Sequence, residues 1–246
     1  MNILYKSETK TVYREGDKVV KMFSEDYSKA NVLNEALNHA RVEETGLNIP
    51  RLHEVKKIDG KWAIVVDYIE GETLKQLMDK NPHKKEEYIE RLVDIQLEIL
   101  SQRVAHLNKL KDKMHSKISM TELDATTRYE LHTRLDSTPK HNKVCHGDLH
   151  PSNIIITEDD EAFIIDWAHV TQGNGAADAA RVYLLFNLDS DCECAEKYLD
   201  IFCRKADTAK QYVQKWIPIV AASQLTKKNE QEKQFLLNWV DVVEYE

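Results

Sequence analysis

Three side chains with oxygen ligands lie close together near the middle of the chain, in the stretch VCHGDLHPSNIIITEDDEAFIIDW. Asp148 lies five residues before Asn153, on a segment that Gly and Pro break into a loop, and Asp166 ends a second apolar run. Carboxylate and amide oxygens are ligands that Mg²⁺ accepts when water and substrate oxygens complete its shell. We therefore predict a divalent-cation site, with the loop carboxylate of Asp148 beside it as a candidate general base.

The two apolar runs predict a β-hairpin. Residues 153–157 and 162–166 are rich in β-branched and aromatic types, and a polar tetrapeptide separates them. With a four-residue loop, Asn153 faces Asp166, and facing residues of an antiparallel pair have Cβ atoms about 4.5–5.5 Å apart. Taken singly, each polar residue is more often a turn former or a cap. Their combined spacing favours a shared metal site.

The motif HGDLHPSN, followed by IDW, resembles the aminoglycoside phosphotransferase and choline kinase family of small-molecule kinases, where protein kinases carry HRD and DFG. The resemblance implies that Asp148 orients an acceptor hydroxyl and accepts its proton, while Asn153 and Asp166 hold Mg²⁺. It also implies that His146 supports the loop structurally. The cofactors expected are Mg²⁺ and a nucleotide phosphate donor.

Two residues near the N-terminus extend the resemblance. Lys21 follows two valines on a predicted strand, in the position of the kinase lysine that contacts phosphates. Glu35 lies 14 residues later on a predicted helix and resembles the glutamate that holds this lysine. An exposed strand lysine is the alternative for Lys21, and Glu43 and Glu44 are competitors for the glutamate.

A second hairpin and a hinge are predicted next. Asp59-Gly60 joins two strand-like runs and is typical of a tight hairpin turn. The following residues 67–72 resemble the hinge where the adenine ring of the nucleotide bonds backbone groups. Tyr68 and Ile69 are assigned to adenine binding from their position alone, and the alternative is a linker between the lobes without a binding role.

The remainder of the chain is predicted to be mainly helical. Apolar residues keep one face over 86–117, with one possible interruption, and a further helix is expected within 121–143. Asp178 lies in the first turn of another helix and resembles the kinase aspartate that braces the catalytic loop by accepting backbone N–H groups. Amphipathic helices are expected over 195–246.

These elements predict an α+β, protein-kinase-like two-lobed fold with a small antiparallel-sheet lobe and a mainly helical lobe. The expected boundaries are a nucleotide-binding lobe over 1–66, a hinge over 67–72 and a helical lobe with the catalytic loop and acceptor site over 73–246. Neither G-x-x-x-x-G-K-[ST] nor G-x-G-x-x-G occurs in the sequence. Residues 7–11 take the place of the Gly-rich phosphate loop, and this departure leaves ATP or GTP open as the donor.

Charge and composition limit the partners. The net charge of −8 disfavours nucleic-acid binding, which needs surplus Lys and Arg. Residues 1–70 carry 11 basic against 12 acidic residues, whereas residues 71–246 carry 23 against 30. This acidity either attracts a cationic acceptor or is solvated surface. Without a signal peptide or a long apolar stretch, and with four cysteines lacking a C-x-x-C pair, we expect a cytoplasmic protein with reduced thiols and no membrane partner.

The resemblance implies a phosphotransferase that moves the γ-phosphoryl group of a nucleotide to an alcohol group of a small molecule, of the aminoglycoside, amino alcohol or sugar type. One rival is an atypical protein kinase of the same fold. Another is a nucleotide-binding pseudokinase module without catalysis, which the absent Gly-rich loop favours and the intact Asp148, Asn153, Asp166 and Lys21 oppose. The sequence leaves the acceptor and the oligomeric state open.

Overall fold

The computed structural model describes residues 2–226 and 230–240. The strands are β1 Asn2–Lys6, β2 Lys10–Glu15, β3 Lys18–Phe23, β4 Leu52–Ile58, β5 Lys61–Asp67, β6 Glu72–Thr73, β7 Lys143–Cys145, β8 Ile154–Ile156, β9 Ala162–Ile164 and β10 Thr171–Gly173. The helices are α1 Lys29–Glu43, α2 Leu74–Lys80, α3 Lys85–Ser101, α4 Leu110–Ser119, α5 Ala125–Ser137, α6 Gly175–Leu188, α7 Cys192–Lys205, α8 Lys210–Gln214, α9 Ile217–Gln224 and α10 Glu230–Val240.

The chain divides into two compact units. The first contains residues 1–79 and 151–169, and the second contains residues 80–150 and 170–246. The first unit is built on an antiparallel sheet and the second is mainly helical, as the α+β prediction requires. The lobe and hinge boundaries predicted from the sequence stay a prediction.

The large sheet of the first unit has the strand order β1-β2-β3-β5-β4. The hairpin predicted at Asp59-Gly60 is confirmed as β4–β5, and β2 and β3 form a further hairpin. Gly16, in the β2–β3 turn, has a φ of 63°, and Asp59 and Gly60, between β4 and β5, have φ of 48° and 81°. Two successive positive φ values match the type I′ turn, whose twist suits neighbouring antiparallel strands.

Alternate residues of β5 pack on opposite faces of this sheet. Ile64 packs with Phe23 of β3 and with Val32 of α1, while Val65 packs with Val20 in a separate buried cluster. The period of two is the ordinary alternation of side chains along a strand. Burying each large aliphatic side chain contributes about 1.5–3 kcal/mol, so this packing fixes the positions of β3 and α1.

The hairpin β8–β9 forms with a register different from the predicted one. Ile156 pairs with Ala162 and Ile154 with Ile164, which leaves five residues in the loop instead of four. The extra residue is accommodated because Asp160 adopts a φ of 63° and the Thr157 N–H bonds the Glu161 carbonyl at 3.0 Å. The prediction that Asn153 faces Asp166 is therefore wrong by one residue.

The second unit joins its helices to the short β7–β10 pair. The helical pattern over 86–117 is confirmed as α3 and α4, with the interruption at residues 102–109. The next predicted helix is confirmed as α5, whose N-cap Asp124 accepts two backbone N–H groups. Among the described residues, α7 to α10 fill the expected C-terminal helical region, and residues 227–229 and 241–246 lie outside the description.

The β7–β10 pair fixes the start of α4. The Gln172 N–H of β10 bonds the Asn108 carbonyl at 2.9 Å, and its side-chain amide bonds the Leu107 carbonyl at 2.7 Å. A Cβ on Gly173 would lie 2.4 Å from the Leu110 Cβ, so the helix start approaches β10 as closely as only glycine permits. All four cysteines are unpaired. No helix among the described residues is long and apolar enough to cross a membrane.

Candidate active site

Lys21 lies between two carboxylates of the first unit. Its ammonium contacts the Glu35 carboxylate and lies 3.0 Å from Oδ1 of Asp166. The Lys21 and Glu35 side chains are only 13% and 12% exposed, because α1 packs against the sheet that carries Lys21. The structure thus places the predicted lysine and glutamate in contact.

Glu43 and Glu44, the two alternatives to Glu35, have other structural roles. The Glu43 carboxylate accepts the Leu52 N–H, and Glu44 is the C-cap residue of α1. Neither contact involves Lys21. Of the three candidate glutamates, the one predicted from the 14-residue spacing is therefore the one that meets Lys21.

Burial and neighbouring charges shift the pKa values of Lys21 and Asp166 in opposite directions. Burial opposes the charge of Lys21, but the carboxylates of Asp166 and Glu35 outweigh it and raise the pKa of the ammonium above its ordinary value. Burial also opposes ionisation of Asp166, but Lys21 and Lys10 outweigh it and hold the pKa of this carboxyl well below its usual range. Both groups are consequently charged across the physiological pH range.

Lys10 is a member of this group that sequence reasoning missed. Its ammonium lies 3.3 Å from Oδ2 of Asp166, so each carboxylate oxygen of Asp166 faces one lysine. Lys10 follows a tight turn in which the Ser7 N–H bonds the Lys10 carbonyl at 2.9 Å. The turn lies within residues 7–11, which the sequence predicts to replace the Gly-rich loop of protein kinases. The only sequence signal for Lys10 is its position within residues 7–11.

Asn153 and Asp166 flank the β8–β9 hairpin at the end opposite its loop. The Ile165 N–H bonds the Asn153 carbonyl at 2.9 Å, and Asp166 leaves the strand direction with a φ of 62°. Because Asp166 directly follows the partner of Asn153, both residues lie at the same end of the hairpin despite the corrected register. An ionised carboxylate and an amide oxygen fit a Mg²⁺ ion that completes its shell with water and phosphate oxygens.

No group of three or more His, Cys, Asp or Glu side chains placed to hold a metal ion exists among the described residues. A cation bound by Asn153 and Asp166 would therefore depend on water and on the bound nucleotide for its remaining ligands. Mg²⁺ suits such a site because it keeps several waters and binds proteins through one or two carboxylates.

Asp148 belongs to the second unit and is held by a buried arginine. The Arg181 Nη2 of α6 donates to Oδ1 of Asp148 at 2.8 Å, and Arg181 is 3% exposed. The Arg181 Nε is buried without a hydrogen-bond partner in the described structure. Sequence reasoning did not single out Arg181, whose position one helical turn after Asp178 was the only available signal.

The loop that carries Asp148 is braced from α6. The Gly147 N–H donates to Oδ1 of Asp178 at 2.7 Å, and the Gln96 amide donates to its other oxygen at 3.1 Å. Asp178 is 3% exposed, and burial raises the pKa of its carboxyl. The prediction that Asp178 accepts a backbone N–H of this loop is confirmed. His146 is fully buried, and its Nδ1 accepts the Asp148 N–H at 3.3 Å, in keeping with structural support.

Tyr68 and Ile69 follow β5 in the first unit. The Tyr68 N–H donates to the Asp17 carbonyl at 2.9 Å, and the Arg14 guanidinium lies 3.7 Å from the centre of the Tyr68 ring. The Tyr68 N–H is thus already used. Adenine recognition here stays a prediction, and it would depend on other backbone groups of the two residues.

Comparison with known proteins identifies the family. The sequence profile described as the phosphotransferase enzyme family matches residues 6–212. None of the curated proteins compared with the chain matches it significantly.

Solved structures share the fold at low identity. A thermostable mutant of aminoglycoside phosphotransferase APH(4)-Ia is similar with a TM-score of 0.73 at 14% identity, over 97% of this chain and 92% of that chain. A ternary complex of the same enzyme with AMP-PNP and hygromycin B gives a TM-score of 0.72 at 14% identity, over 97% of this chain and 90% of that chain. Choline kinase LicA from Streptococcus pneumoniae gives a TM-score of 0.67 at 14% identity, over 98% of this chain and 91% of that chain. These similarities confirm the predicted kinase-like fold.

Proposed function

Because the chain belongs to the phosphotransferase enzyme family, we propose that it transfers the γ-phosphoryl group of ATP or GTP to a hydroxyl group of a small molecule. The observation that carries the proposal is Lys21, whose ammonium is held between the Glu35 and Asp166 carboxylates. This is the arrangement that a kinase needs to hold a phosphate-binding lysine in place. The solved relative with AMP-PNP and hygromycin B adds support, since it binds a nucleotide and an acceptor together.

In the proposed reaction, the bond from the γ-phosphorus to its bridging oxygen breaks. A new bond forms from the same phosphorus to the acceptor oxygen, and the acceptor proton passes to the Asp148 carboxylate. Arg181 holds one oxygen of Asp148, so the direction of the carboxylate is fixed before the acceptor arrives. Catalysis of this kind rests on positioning and electrostatics more than on covalent chemistry.

Asn153 and Asp166 would hold Mg²⁺, which would neutralise phosphate charge when bound. The lowered pKa of Asp166 keeps its carboxylate available as a ligand at every physiological pH. Lys21 would contact the phosphates. Lys10, on the other oxygen of Asp166, would supply a cation where protein kinases carry a Gly-rich loop. Backbone groups at Tyr68 and Ile69 would bind the adenine ring.

The test measures nucleotide binding and group transfer separately. Thermal stabilisation by ATP or GTP is recorded with and without Mg²⁺, and ADP or GDP release is then followed across hydroxyl compounds of different charge. Asp148→Asn should reduce the turnover number on the order of 10²- to 10⁴-fold while leaving nucleotide stabilisation unchanged. Lys84→Met serves as a control, because Lys84 is exposed and its Nζ lies 3.8 Å from Oε2 of the exposed Glu87.

Each outcome discriminates between the proposals. Normal turnover by Asp148→Asn on an identified acceptor would falsify the proposed mechanism. Mg²⁺-dependent nucleotide binding without transfer to any acceptor would favour a binding module. Transfer to protein side chains, but to none of the small molecules, would favour an atypical protein kinase.

A further inference from the structure

A chain of hydrogen bonds runs through the second unit from α7 to the loop that carries Asp148. The Tyr198 hydroxyl of α7 donates to Oε1 of Gln96 on α3. The Gln96 Nε2 donates to Oδ2 of Asp178 at 3.1 Å, and Oδ1 of Asp178 accepts the Gly147 N–H at 2.7 Å. We call this chain, from Tyr198 through Gln96 and Asp178 to Gly147, the Tyr198 relay. It ends on the residue directly before Asp148.

The three side chains of the Tyr198 relay are withdrawn from water. Tyr198 and Gln96 are 0% exposed, and Asp178 is 3% exposed. The Tyr198 ring packs against the rings of Phe186 on α6 and Phe202 on α7, with centroids 5.9 and 6.0 Å away. Its hydroxyl is therefore held in one place at the far end of the relay.

The charge of Asp178 fixes the direction of each hydrogen bond in the relay. An ionised carboxylate only accepts hydrogen bonds, so the Gln96 side chain must turn its NH₂ group toward Asp178. The Gln96 carbonyl oxygen then points the other way, to Tyr198, which is the donor. Without that hydroxyl, a buried carbonyl oxygen would lack its donor, which is costly. Tyr198 thus stabilises Gln96 in the one orientation that donates to Asp178.

The relay also supports the ionised form of Asp178. Burial raises the pKa of this carboxyl, whereas the Gln96 amide, the Gly147 N–H and His146 act against the rise. Loss of the Gln96 donor would raise the pKa further. A protonated carboxyl has one oxygen that donates, so it would hold the Gly147 N–H less firmly.

Two other titratable groups lie close enough to Asp178 to feel its charge. They are the Cys145 thiol of β7 and the Tyr198 hydroxyl, and burial raises the pKa of each well above its ordinary value. Both groups consequently stay neutral around neutral pH, and Asp178 is the member of the relay that titrates first as the pH falls.

We propose that Tyr198 and Gln96 are positioning residues for phosphoryl transfer, which act through Asp178 to fix the backbone of Gly147 and thereby the direction of Asp148. The proposal rests on the proposed function and names further residues on which its turnover depends. Arg181, also on α6, holds the Asp148 carboxylate at 2.8 Å. The backbone before the proposed base and its side chain are then both fixed from the same helix.

A purely structural role, in which the relay only joins α3, α6 and α7, is the simpler alternative. Apolar side chains would join three helices without the cost of burying polar groups. The relay also ends on a backbone N–H of the loop rather than on another helix. Both observations favour a role in orienting that loop.

The test uses two variants of the full chain and one matched control. Tyr198→Phe removes one oxygen and keeps the ring, and Gln96→Met keeps the bulk of the side chain and removes both hydrogen bonds. The control is Tyr183→Phe, because the Tyr183 hydroxyl is also buried and bonds Glu196 of α7 from α6 at 2.7 Å, outside the relay.

Two quantities are measured for each variant. Hydrogen exchange of the Gly147 amide is recorded by NMR without substrate, relative to the amides of α5, so that a change in global stability is separated from a change in the loop. The turnover number and KM for the nucleotide are then determined with an acceptor found in the transfer test. A melting curve verifies that each variant folds, and Tyr198→Phe decides if Gln96→Met does not fold.

We expect exchange of the Gly147 amide to accelerate about 3- to 10-fold in Tyr198→Phe and at least about tenfold in Gln96→Met, because Asp178 loses part or all of a donor. The turnover number should fall about 3- to 10-fold and about 10- to 100-fold respectively, with KM for the nucleotide within about twofold. In Gln96→Met, kcat should start to fall at a higher pH than in the wild type as the pH is lowered. Tyr183→Phe should leave the exchange and the kinetics unchanged.

Two results would overturn the proposal. One is unchanged exchange of the Gly147 amide in the relay variants, whatever their activity. The other is faster exchange with a turnover number equal to that of Tyr183→Phe. Failure of the proposed function looks different, since no acceptor would be phosphorylated by any variant. Faster exchange in the relay variants would in that case still show that Tyr198 and Gln96 fix the loop.

Discussion

The Lys10 ammonium lies 3.3 Å from Oδ2 of Asp166, on the carboxylate oxygen that Lys21 does not hold. A phosphate group that approaches Asp166 would therefore meet two lysines. We expect Lys10→Met to raise KM for the nucleotide about tenfold, the loss of one charged hydrogen bond, with little change in kcat. Steady-state kinetics at saturating acceptor measure this. Lys6→Met, on the exposed strand β1, is the control. A change in kcat alone would contradict the assignment.

Glu35 is expected to act by holding Lys21. Glu35→Ala should lower kcat/KM about 10- to 100-fold, which corresponds to about 1.4–2.7 kcal/mol, and leave the protein folded because Asp166 still neutralises Lys21. Kinetics together with a thermal unfolding curve measure both effects. Glu44→Ala, at the end of the same helix, should have no kinetic effect. Unchanged turnover in Glu35→Ala would remove Glu35 from the site.

Arg181 is expected to act as a positioning residue for Asp148. Arg181→Met should lower kcat about 10- to 100-fold, because the Asp148 carboxylate loses the donor at 2.8 Å that fixes its direction. KM for the nucleotide should stay within about twofold, since the nucleotide site does not depend on this contact. Arg181→Lys keeps one donor and should recover part of kcat. Equal losses in both variants, with an altered melting temperature, would indicate a purely structural role.

Lys113 of α4 makes a prediction for stability, because burial together with the charge of Lys117 lowers the pKa of its ammonium from 10.5 to about 8. A lysine whose pKa is lowered on folding is destabilising while protonated, so its penalty is fully present below pH 8 and is relieved as pH rises toward 10.5. The stability difference between Lys113→Met and the wild type should accordingly shrink over that range. Denaturant unfolding at pH 7, 8 and 9 measures it. A constant difference would show that Lys113 is not desolvated.

Gly71 is expected to be essential for packing in the first unit. A Cβ there would lie 2.3 Å from the Ile156 carbonyl oxygen, a backbone atom that cannot move aside. Gly71→Ala should cost about 1–3 kcal/mol of unfolding free energy. For a chain of this size, that lowers the melting temperature by roughly 2–4 °C per kcal/mol. Calorimetry tests this, with Ser101→Ala on an exposed helix end as the reference. An unchanged melting temperature would contradict the close packing.

Local signals in the sequence predicted the elements that carry the site. The turn at Asp59-Gly60 and the spacing from Lys21 to Glu35 depend on short-range geometry, and both features are present in the structure. The β8–β9 register depended on one extra loop residue with a positive φ at Asp160, which residue types alone did not specify.

Contacts between residues that are distant in the sequence could not be predicted from residue types. Lys10 reaches Asp166 across 156 positions, and Arg181 reaches Asp148 across 33 positions. No periodicity or motif links either pair, because the contacts exist only once the sheet and α6 have packed.

The two lysine contacts of Asp166 have a consequence for the order in which the first unit can form. Asp166 lies in the segment 151–169, which belongs to the first unit although residues 80–150 of the second unit come between in the sequence. The pairs of Asp166 with Lys10 and Lys21 can therefore form only after the chain has been synthesised beyond residue 166. Until then, the sheet that carries both lysines exists without this carboxylate.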